Sequence, residues 1–233
     1  MKAVILAGGK GTRLKPYTSV IPKPLVPVGE RAILEILITR LKKLGVDEVF
    51  ICLNHFAEII MAFFGDGSKF GLKIHYSTED QPLGTVAPIR LISDLPDNFL
   101  VMNGDLLTDL DFGALFTYHL KEKALLTVAT YQRKTKIDFG VIDVDPKTML
   151  ATGFREKPEY TFDVSMGVYA MNRRVLDFVP AGKPFGFDDL MLTLLGHEKP
   201  AKIYPYAGYW LDIGRPDDYE KANEDIELLN TIL

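Results

Sequence analysis

The stretch Ala3-Val4-Ile5-Leu6-Ala7, followed at once by Gly8-Gly9-Lys10-Gly11-Thr12-Arg13-Leu14, decides how this chain is read. The five apolar residues have the length of a short buried strand. Three glycines in the next four positions let the backbone come close to a ligand and turn its amide N–H groups toward it. In open α/β sheets, ligands bind where a strand stops at such a loop. The loop is not a Walker loop, because no Gly-Lys-Ser/Thr ends it. It also lacks the third glycine of the dinucleotide fingerprint, since Leu14 stands there. On the glycines alone, phosphate binding and a merely tight strand-to-helix turn stand level.

Outward from this stretch the chain alternates strand and helix. Arg31–Leu44 carries apolar residues close to helical spacing and ends at Gly45. Glu48–Leu53 is a second buried strand, and His55–Phe64 a second helix closed by Gly65. Leu72–Tyr76 and Phe99–Met102 read as further strands, with a helix over Val86–Ile92 between them. This alternation predicts a mainly parallel sheet with helices on both faces. The second half differs: Ala124–Gln132, Gly140–Val144, Leu150–Glu156 and Ser165–Met171 are strand-like runs joined by short turns. Helices are expected over Asp188–Leu195 and Pro216–Leu229, the latter opening on Pro-Asp-Asp. No linker, low-complexity tract or repeat interrupts the chain. The expectation is one mixed α/β domain with a nucleotide-binding half at 1–122, a sugar-binding half at 123–215 and a C-terminal helix at 216–233.

Composition bounds the class. The 233 residues are 47% hydrophobic and 25% charged, with a formal net charge of −4. A chain of this length buries roughly 70% of its unfolded surface and needs no staples. The acidic balance speaks against a nucleic-acid-binding face. Cys52 is the single cysteine, set in an apolar run, so no internal disulfide can form. No apolar stretch approaches the roughly 18 residues that span a bilayer, and the first apolar run is too short for a signal-peptide core. These features predict a soluble, cytoplasmic protein with neither membrane nor nucleic-acid partner.

Two cations tilt the glycine loop toward phosphate. Arg13 ends the loop, and Lys23 lies between two prolines in Ile21-Pro22-Lys23-Pro24-Leu25, on what reads as a stiff extended segment. Arginine offers a fork for phosphate oxygens and lysine a point charge. Two acids come next. Asp105 follows the buried run Leu100–Asn103 and Gly104, while Asp212 sits in Gly208-Tyr209-Trp210-Leu211-Asp212-Ile213-Gly214. A carboxylate in such surroundings is costly unless paired or bound to metal. One or two carboxylates plus substrate phosphates is the usual way to hold Mg²⁺. Taken singly, Asp105 capping a turn and Asp212 pairing with Arg215 are the slightly stronger readings. The histidines at 55, 75, 119 and 197 show no metal-ligand spacing.

In order along the chain, Gly8-Gly9-x-Gly11-Thr12-Arg13-Leu14, Pro22-Lys23-Pro24-Leu25-x-Pro27-Val28, Gly104-Asp105, Glu156-Lys157-Pro158 and Trp210-x-Asp212-Ile213-Gly214 resemble the motifs of sugar-1-phosphate nucleotidyltransferases. The resemblance runs from residue 1 to about 222. It implies a Rossmann-like, glycosyltransferase-A-like fold and the reaction NTP plus sugar 1-phosphate giving NDP-sugar plus pyrophosphate. By the same resemblance, Arg13 holds the β- and γ-phosphates, Lys23 neutralises the reacting phosphates, and Asp105 with Asp212 holds Mg²⁺. The nucleotide lies against Leu6, Ala7, Gly8, Gly9, Gly11, Thr12, Glu79, Pro82, Gly84, Thr85, Asn103 and Gly104. The sugar phosphate falls to Gly140, Glu156, Lys157, Ser165 and Gly167. Without the family, Lys157 reads as an exposed Glu-Lys-Pro turn.

Pro82-Leu83-Gly84-Thr85 most resembles guanylyltransferases for mannose or heptose 1-phosphate, and Glu79 has the acceptor atoms that guanine N1–H and N2–H₂ require. Uridylyl-, thymidylyl- and cytidylyltransferases are the alternatives. The sugar itself stays open, because Ser165 and Phe139 stand where many relatives carry Asn and Tyr. Asn54-His55 could also face the sugar, a structural role for His55 being the stronger reading. The chain stops at Leu233, so the β-helix that many relatives append is expected to be absent. Oligomeric state is open, a homo-oligomer included. Rival readings are a non-catalytic nucleotide-sugar sensor of the same fold, a dinucleotide-dependent oxidoreductase and a glycosyltransferase. The oxidoreductase lacks the third fingerprint glycine, and Glu35, the acid nearest its expected spacing, falls inside a helix.

Overall fold

The apolar run after Met1 does form the strand that organises the molecule. In the computed structural model, which describes residues 1–232, the elements run β1 (Lys2–Leu6), β2 (Pro27–Val28), β3 (Arg31–Ala32), α1 (Ile33–Lys43), β4 (Glu48–Leu53), α2 (Ala57–Phe64), β5 (Lys73–Thr78), β6 (Asn98–Asn103), β7 (Leu106–Thr108), α3 (Phe112–Glu122), β8 (Leu126–Lys136), β9 (Val141–Val144), β10 (Ala151–Arg155), β11 (Glu159–Asn172), α4 (Phe187–Gly196), β12 (Lys202–Tyr206), β13 (Trp210–Asp212), α5 (Pro216–Glu224) and α6 (Ile226–Ile232). A seven-stranded sheet has the order β12-β8-β11-β6-β1-β4-β5. The run β6-β1-β4-β5 is parallel. Strand β11 is antiparallel to both β6 and β8, and β12 is parallel to β8. The result is a mixed, mainly parallel α/β sheet in a single domain.

Strand alternation divides the core. Ala3 and Ile5 face one side with Leu34, Leu37, Ile38 and Leu41 of α1, Ile60 and Phe64 of α2, and Phe112 and Leu115 of α3. Val4 faces the other, with Phe50, Cys52, Ile89 and Leu190 and Leu194 of α4. Burying each such side chain contributes about 1.5–3 kcal/mol. A third apolar cluster joins Leu14, Val26, Val28, Leu107, Leu211, Ile213 and Ala222, and it lies behind the glycine loop.

Several elements differ from expectation for identifiable reasons. The segment expected as a helix over 86–92 is only a 3-10 turn at Ala87–Leu91, with Pro88 near its start removing a backbone donor. Arg31 and Ala32 pair as β3 before α1 begins, and Phe56 takes a left-handed conformation that delays α2 to Ala57. The run expected at 165–171 extends to fourteen residues, with a register shift between Ser165 and Tyr169. Helix α3, where Asp111 Oδ1 caps the Ala114 N–H at 3.0 Å, and edge strand β12 were not anticipated. The C-terminal helix breaks at Asp225 into α5 and α6, and its expected last residue, Leu233, lies outside the described residues. Among the described residues no helix is long and apolar enough to cross a membrane.

Candidate active site

At the carboxyl ends of β1, β4 and β6 the chain leaves the sheet around a cavity of about 500 Å³. The loop after β1 forms one wall. Ala7 N–H still bonds Cys52 O at 2.9 Å, and then the glycines turn away. At Gly8 a Cβ would stand 3.2 Å from Glu79 Oε1 and 3.3 Å from Asn54 Cβ, so a side chain there would require those neighbours to give by a few tenths of an ångström. Gly11 has φ +63°, and a Cβ there would meet Thr18 Cγ2 at 2.9 Å. Thr18 Oγ1 donates to Gly11 O at 2.7 Å, folding the loop onto the next turn. Leu14, in place of a third fingerprint glycine, is buried in the third cluster and anchors the loop's far end.

Arg13 lies in the 3-10 turn Thr12–Leu14. Lys23 begins another, Lys23–Leu25, which corrects the expectation of an extended segment; only Pro22, at φ −59° and ψ 139°, is extended. The turn aims the Lys23 ammonium at Asp105, with which it forms an ion pair through Oδ2. The other oxygen, Asp105 Oδ1, is buried without a hydrogen-bond partner.

A two-stranded ladder brings Asp212 to the same place. Strand β13 pairs antiparallel with β7, with Asp212 opposite Leu106, and Ile213 N–H donates to Asp105 O at 2.9 Å. Asp212 Oδ1 accepts from Gly214 N–H at 2.9 Å. A Cβ on Gly214 would stand 2.5 Å from Lys23 Nζ, 2.8 Å from an Arg13 guanidinium nitrogen and 2.9 Å from Asp212 Oδ1. Two cations and Asp212 therefore border one space that glycine keeps free, and Asp105 joins them through its ion pair with Lys23; Asp105 lines the cavity, whereas Asp212 stands just behind Gly214. Asp212 forms no ion pair with Arg215 among the described residues.

Glu79 borders the loop at Gly8. Its Oε2 accepts from Leu83 N–H at 2.5 Å, and burial raises its pKa while that bond partly offsets the rise. The following loop is zipped to the segment before α4. Phe185 N–H donates to Leu83 O at 2.8 Å, Phe187 N–H donates to Thr85 Oγ1 at 2.9 Å, and Gly84, at φ +85°, leaves room for Phe185 O.

Leu6, Ala7, Gly8, Gly9, Gly11, Thr12, Arg13, Lys23, Glu79, Pro82, Gly84, Thr85, Asn103, Gly104 and Asp105 all line this cavity. The sugar-side residues do not. Gly167, at φ +72°, abuts the Asn103 side chain, and Ser165 Oγ donates to the Tyr169 hydroxyl at 3.1 Å. Gly140 faces the Glu156 carboxylate, both away from the cavity, and Lys157 is exposed in a left-handed turn. Asn54 lines the cavity, and the His55 ring lies tilted at 43° to Phe56, with centroids 4.0 Å apart. Sequence reasoning missed Lys10, Pro24, Cys52, Pro88 and Gly214 as lining residues. For Cys52 the signal was present, since it nearly ends the strand beside β1. Burial pushes its thiol up to about 12.

Among the described residues no three His, Cys, Asp or Glu side chains are placed to hold a metal by themselves. A pair of carboxylates beside an anion cradle, one with an unpartnered buried oxygen, is nevertheless the donor set that fits Mg²⁺ when phosphates complete it.

Residues 2–228 match the model of the family described as "Nucleotidyl transferase". Over 96% of its length the chain is 34% identical to the mannose-1-phosphate guanylyltransferase of Mycobacterium tuberculosis, of which it covers 64%. Over 95% it is 32% identical to the UTP–glucose-1-phosphate uridylyltransferase of Synechocystis sp., of which it covers 62%. The chain thus spans a little under two thirds of the length of these relatives. Among solved structures it is similar to HddC from Yersinia pseudotuberculosis complexed with GMP-PN, with a TM-score of 0.72, 27% identity, and coverage of 97% of this chain and 99% of that one.

Proposed function

The chain belongs to the nucleotidyl transferase family, and from that premise we propose that it transfers a nucleotidyl group from a nucleoside triphosphate to a sugar 1-phosphate, releasing pyrophosphate. The observation that carries the reading is the meeting of Arg13, Lys23, Asp105 and Asp212 at the space left by Gly214, beside the glycine loop. A sensor of the same fold has no need of all four.

The sugar phosphate is already anionic near neutral pH, so no general base is required. The barrier lies in bringing two polyanions together and stabilising charge during in-line displacement at the α-phosphorus. An oxygen of the sugar phosphate forms the new bond to phosphorus as the bond to the β-phosphate oxygen breaks. The amides of Gly8–Thr12 hold the triphosphate. Arg13 takes the β- and γ-phosphates and stays with the departing pyrophosphate. Lys23, paired with Asp105 in the free protein, turns its charge toward the reacting phosphates. Asp105 and Asp212 would hold Mg²⁺, which when bound would supply charge neutralisation and polarisation of the phosphoryl oxygens. Lys157 grips the sugar 1-phosphate, Glu156 accepts sugar hydroxyls, and Gly140, Ser165 and Gly167 shape the sugar side.

For the base we propose guanine, with a mannose- or heptose-type sugar and the cytoplasm as the compartment. The free Oε1 of Glu79, facing the cavity over Gly8, suits the paired donors of guanine. The similarity to a guanylyltransferase and to a structure complexed with GMP-PN supports this choice. The similarity to a UTP-dependent relative keeps uridine as the alternative. A matrix of four NTPs against a panel of sugar 1-phosphates, read by pyrophosphate release with Mg²⁺, tests both levels. Release with one pair supports the reaction. A preference of about tenfold (~1.4 kcal/mol) or more for UTP, dTTP or CTP overturns guanine, and no release with any pair overturns the activity.

A further inference from the structure

Asp218 is a buried acid that the proposed reaction does not use. It lies in the first turn of α5 and is 7% exposed. A carboxylate this deep needs partners, and it has two, both on Oδ2. The Arg133 guanidinium donates at 2.5 Å, and the backbone N–H of Asp212 donates at 3.1 Å. Arg133 belongs to β8, 85 residues earlier in the chain, and its guanidinium also lies over the Trp210 ring, 5.0 Å from the centroid. Trp210, two residues before Asp212, is itself tied down by its indole N–H to Met166 O at 3.0 Å.

Strand β13 has only three residues and one ladder partner, β7. The backbone around Asp212 is consequently fixed by three successive amides. Ile213 N–H bonds the Asp105 carbonyl and Gly214 N–H bonds the Asp212 carboxylate, both within the acid pair itself. Only the N–H of Asp212 is held from outside, by Asp218. We infer that Asp218, neutralised by Arg133, is a positioning residue that fixes the backbone of Asp212 and so sets the geometry with which the Asp105–Asp212 pair takes a divalent cation. The inference rests on the proposed metal role of those two acids. Within the clamp, Arg133 lets a third carboxylate sit beside the acid pair without adding net charge.

The test is Mn²⁺ binding to the intact protein, read by electron paramagnetic resonance of free Mn²⁺ with a non-hydrolysable NTP analogue present, alongside thermal melts. Asp218→Ala removes the acceptor and is expected to weaken Mn²⁺ binding about tenfold or more, the scale of a lost outer partner of a metal ligand. It should raise the metal concentration for half-maximal activity by a similar factor while the NTP KM at saturating metal stays within about twofold. Asp218→Asn keeps an oxygen for the Asp212 N–H, should recover most of the metal affinity, and serves if Asp218→Ala does not fold. A folded Asp218→Ala with wild-type Mn²⁺ affinity overturns the inference. So does Asp218→Asn matching Asp218→Ala in metal affinity. The underlying reading fails separately, if Asp212→Asn binds Mn²⁺ as tightly as wild type.

Discussion

Around the glycine loop, residues are set by the ends of three buried strands and by an apolar cluster behind them. Gly140, Glu156 and Lys157 instead belong to a two-stranded ribbon, β9–β10, and its turns, where Phe139 is 77% exposed, Met149 76% and Phe154 64%. One region is held by packing before any ligand arrives. The other holds its polar residues in the open. On the proposed reading the triphosphate meets a finished cradle, whereas the sugar phosphate meets groups that must gather around it. Pre-organised charge lowers the barrier most where no rearrangement is needed, so the two regions should respond differently to mutation.

The contrast breaks most sharply at the cradle. Arg13→Ala or Asp105→Ala should lower kcat/KM at least about a hundredfold (~3 kcal/mol), the scale of one lost transition-state contact. Steady-state kinetics on folded variants checks this, and near-normal turnover of Asp105→Ala would remove that acid from the metal pair. Next, Lys157→Ala should raise the KM for sugar 1-phosphate by roughly ten- to thirtyfold with the NTP KM unchanged. Equal changes in both KM values would mean that the ribbon serves the nucleotide as well.

A smaller effect belongs to Glu79. Burial raises its pKa, so acidification protonates it more readily than an exposed acid. On the proposed reading guanine is recognised by the carboxylate, hence GTP affinity should fall as pH falls. Glu79→Gln should bind about tenfold more weakly (~1.4 kcal/mol) and lose that pH dependence, measurable by calorimetry. A separate effect, on stability rather than activity, lies far from the cavity. His119 is buried between Thr127 and Asn98, and burial lowers its pKa from 6.5 to about 4. Its neutral form contributes stability that is complete above pH 6.5 and lost as pH falls toward about 4. The melting temperature should drop by several degrees across that window, at roughly 2–4 °C per kcal/mol for a domain of this size. His119→Gln should flatten this part of the curve.

Much of this was legible in the residues. A strand that ends in glycines at the carboxyl edge of a sheet announces its cavity, and Arg13 and Lys23 lie within a few turns of that loop. What was not legible depends on long-range pairing. Nothing near Asp105 in the sequence points to Asp212, whose approach rests on a ladder of three residues between β7 and β13. Helix α3 hid because His119, a polar type, is buried on its packed face. Strand β12 hid because Pro205 interrupts its pattern, which an edge position tolerates. Asp218 read as an ordinary first-turn helix acid, its two partners being visible only once β8 and β13 are neighbours.

That short ladder has a consequence for synthesis. A chain emerging from the ribosome completes its glycine loop some two hundred residues before Asp212, yet no carboxylate pair exists until residue 212 is added and laid against β7. A nascent chain that ends between residues 105 and 212 carries the glycine loop with only one of the two acids.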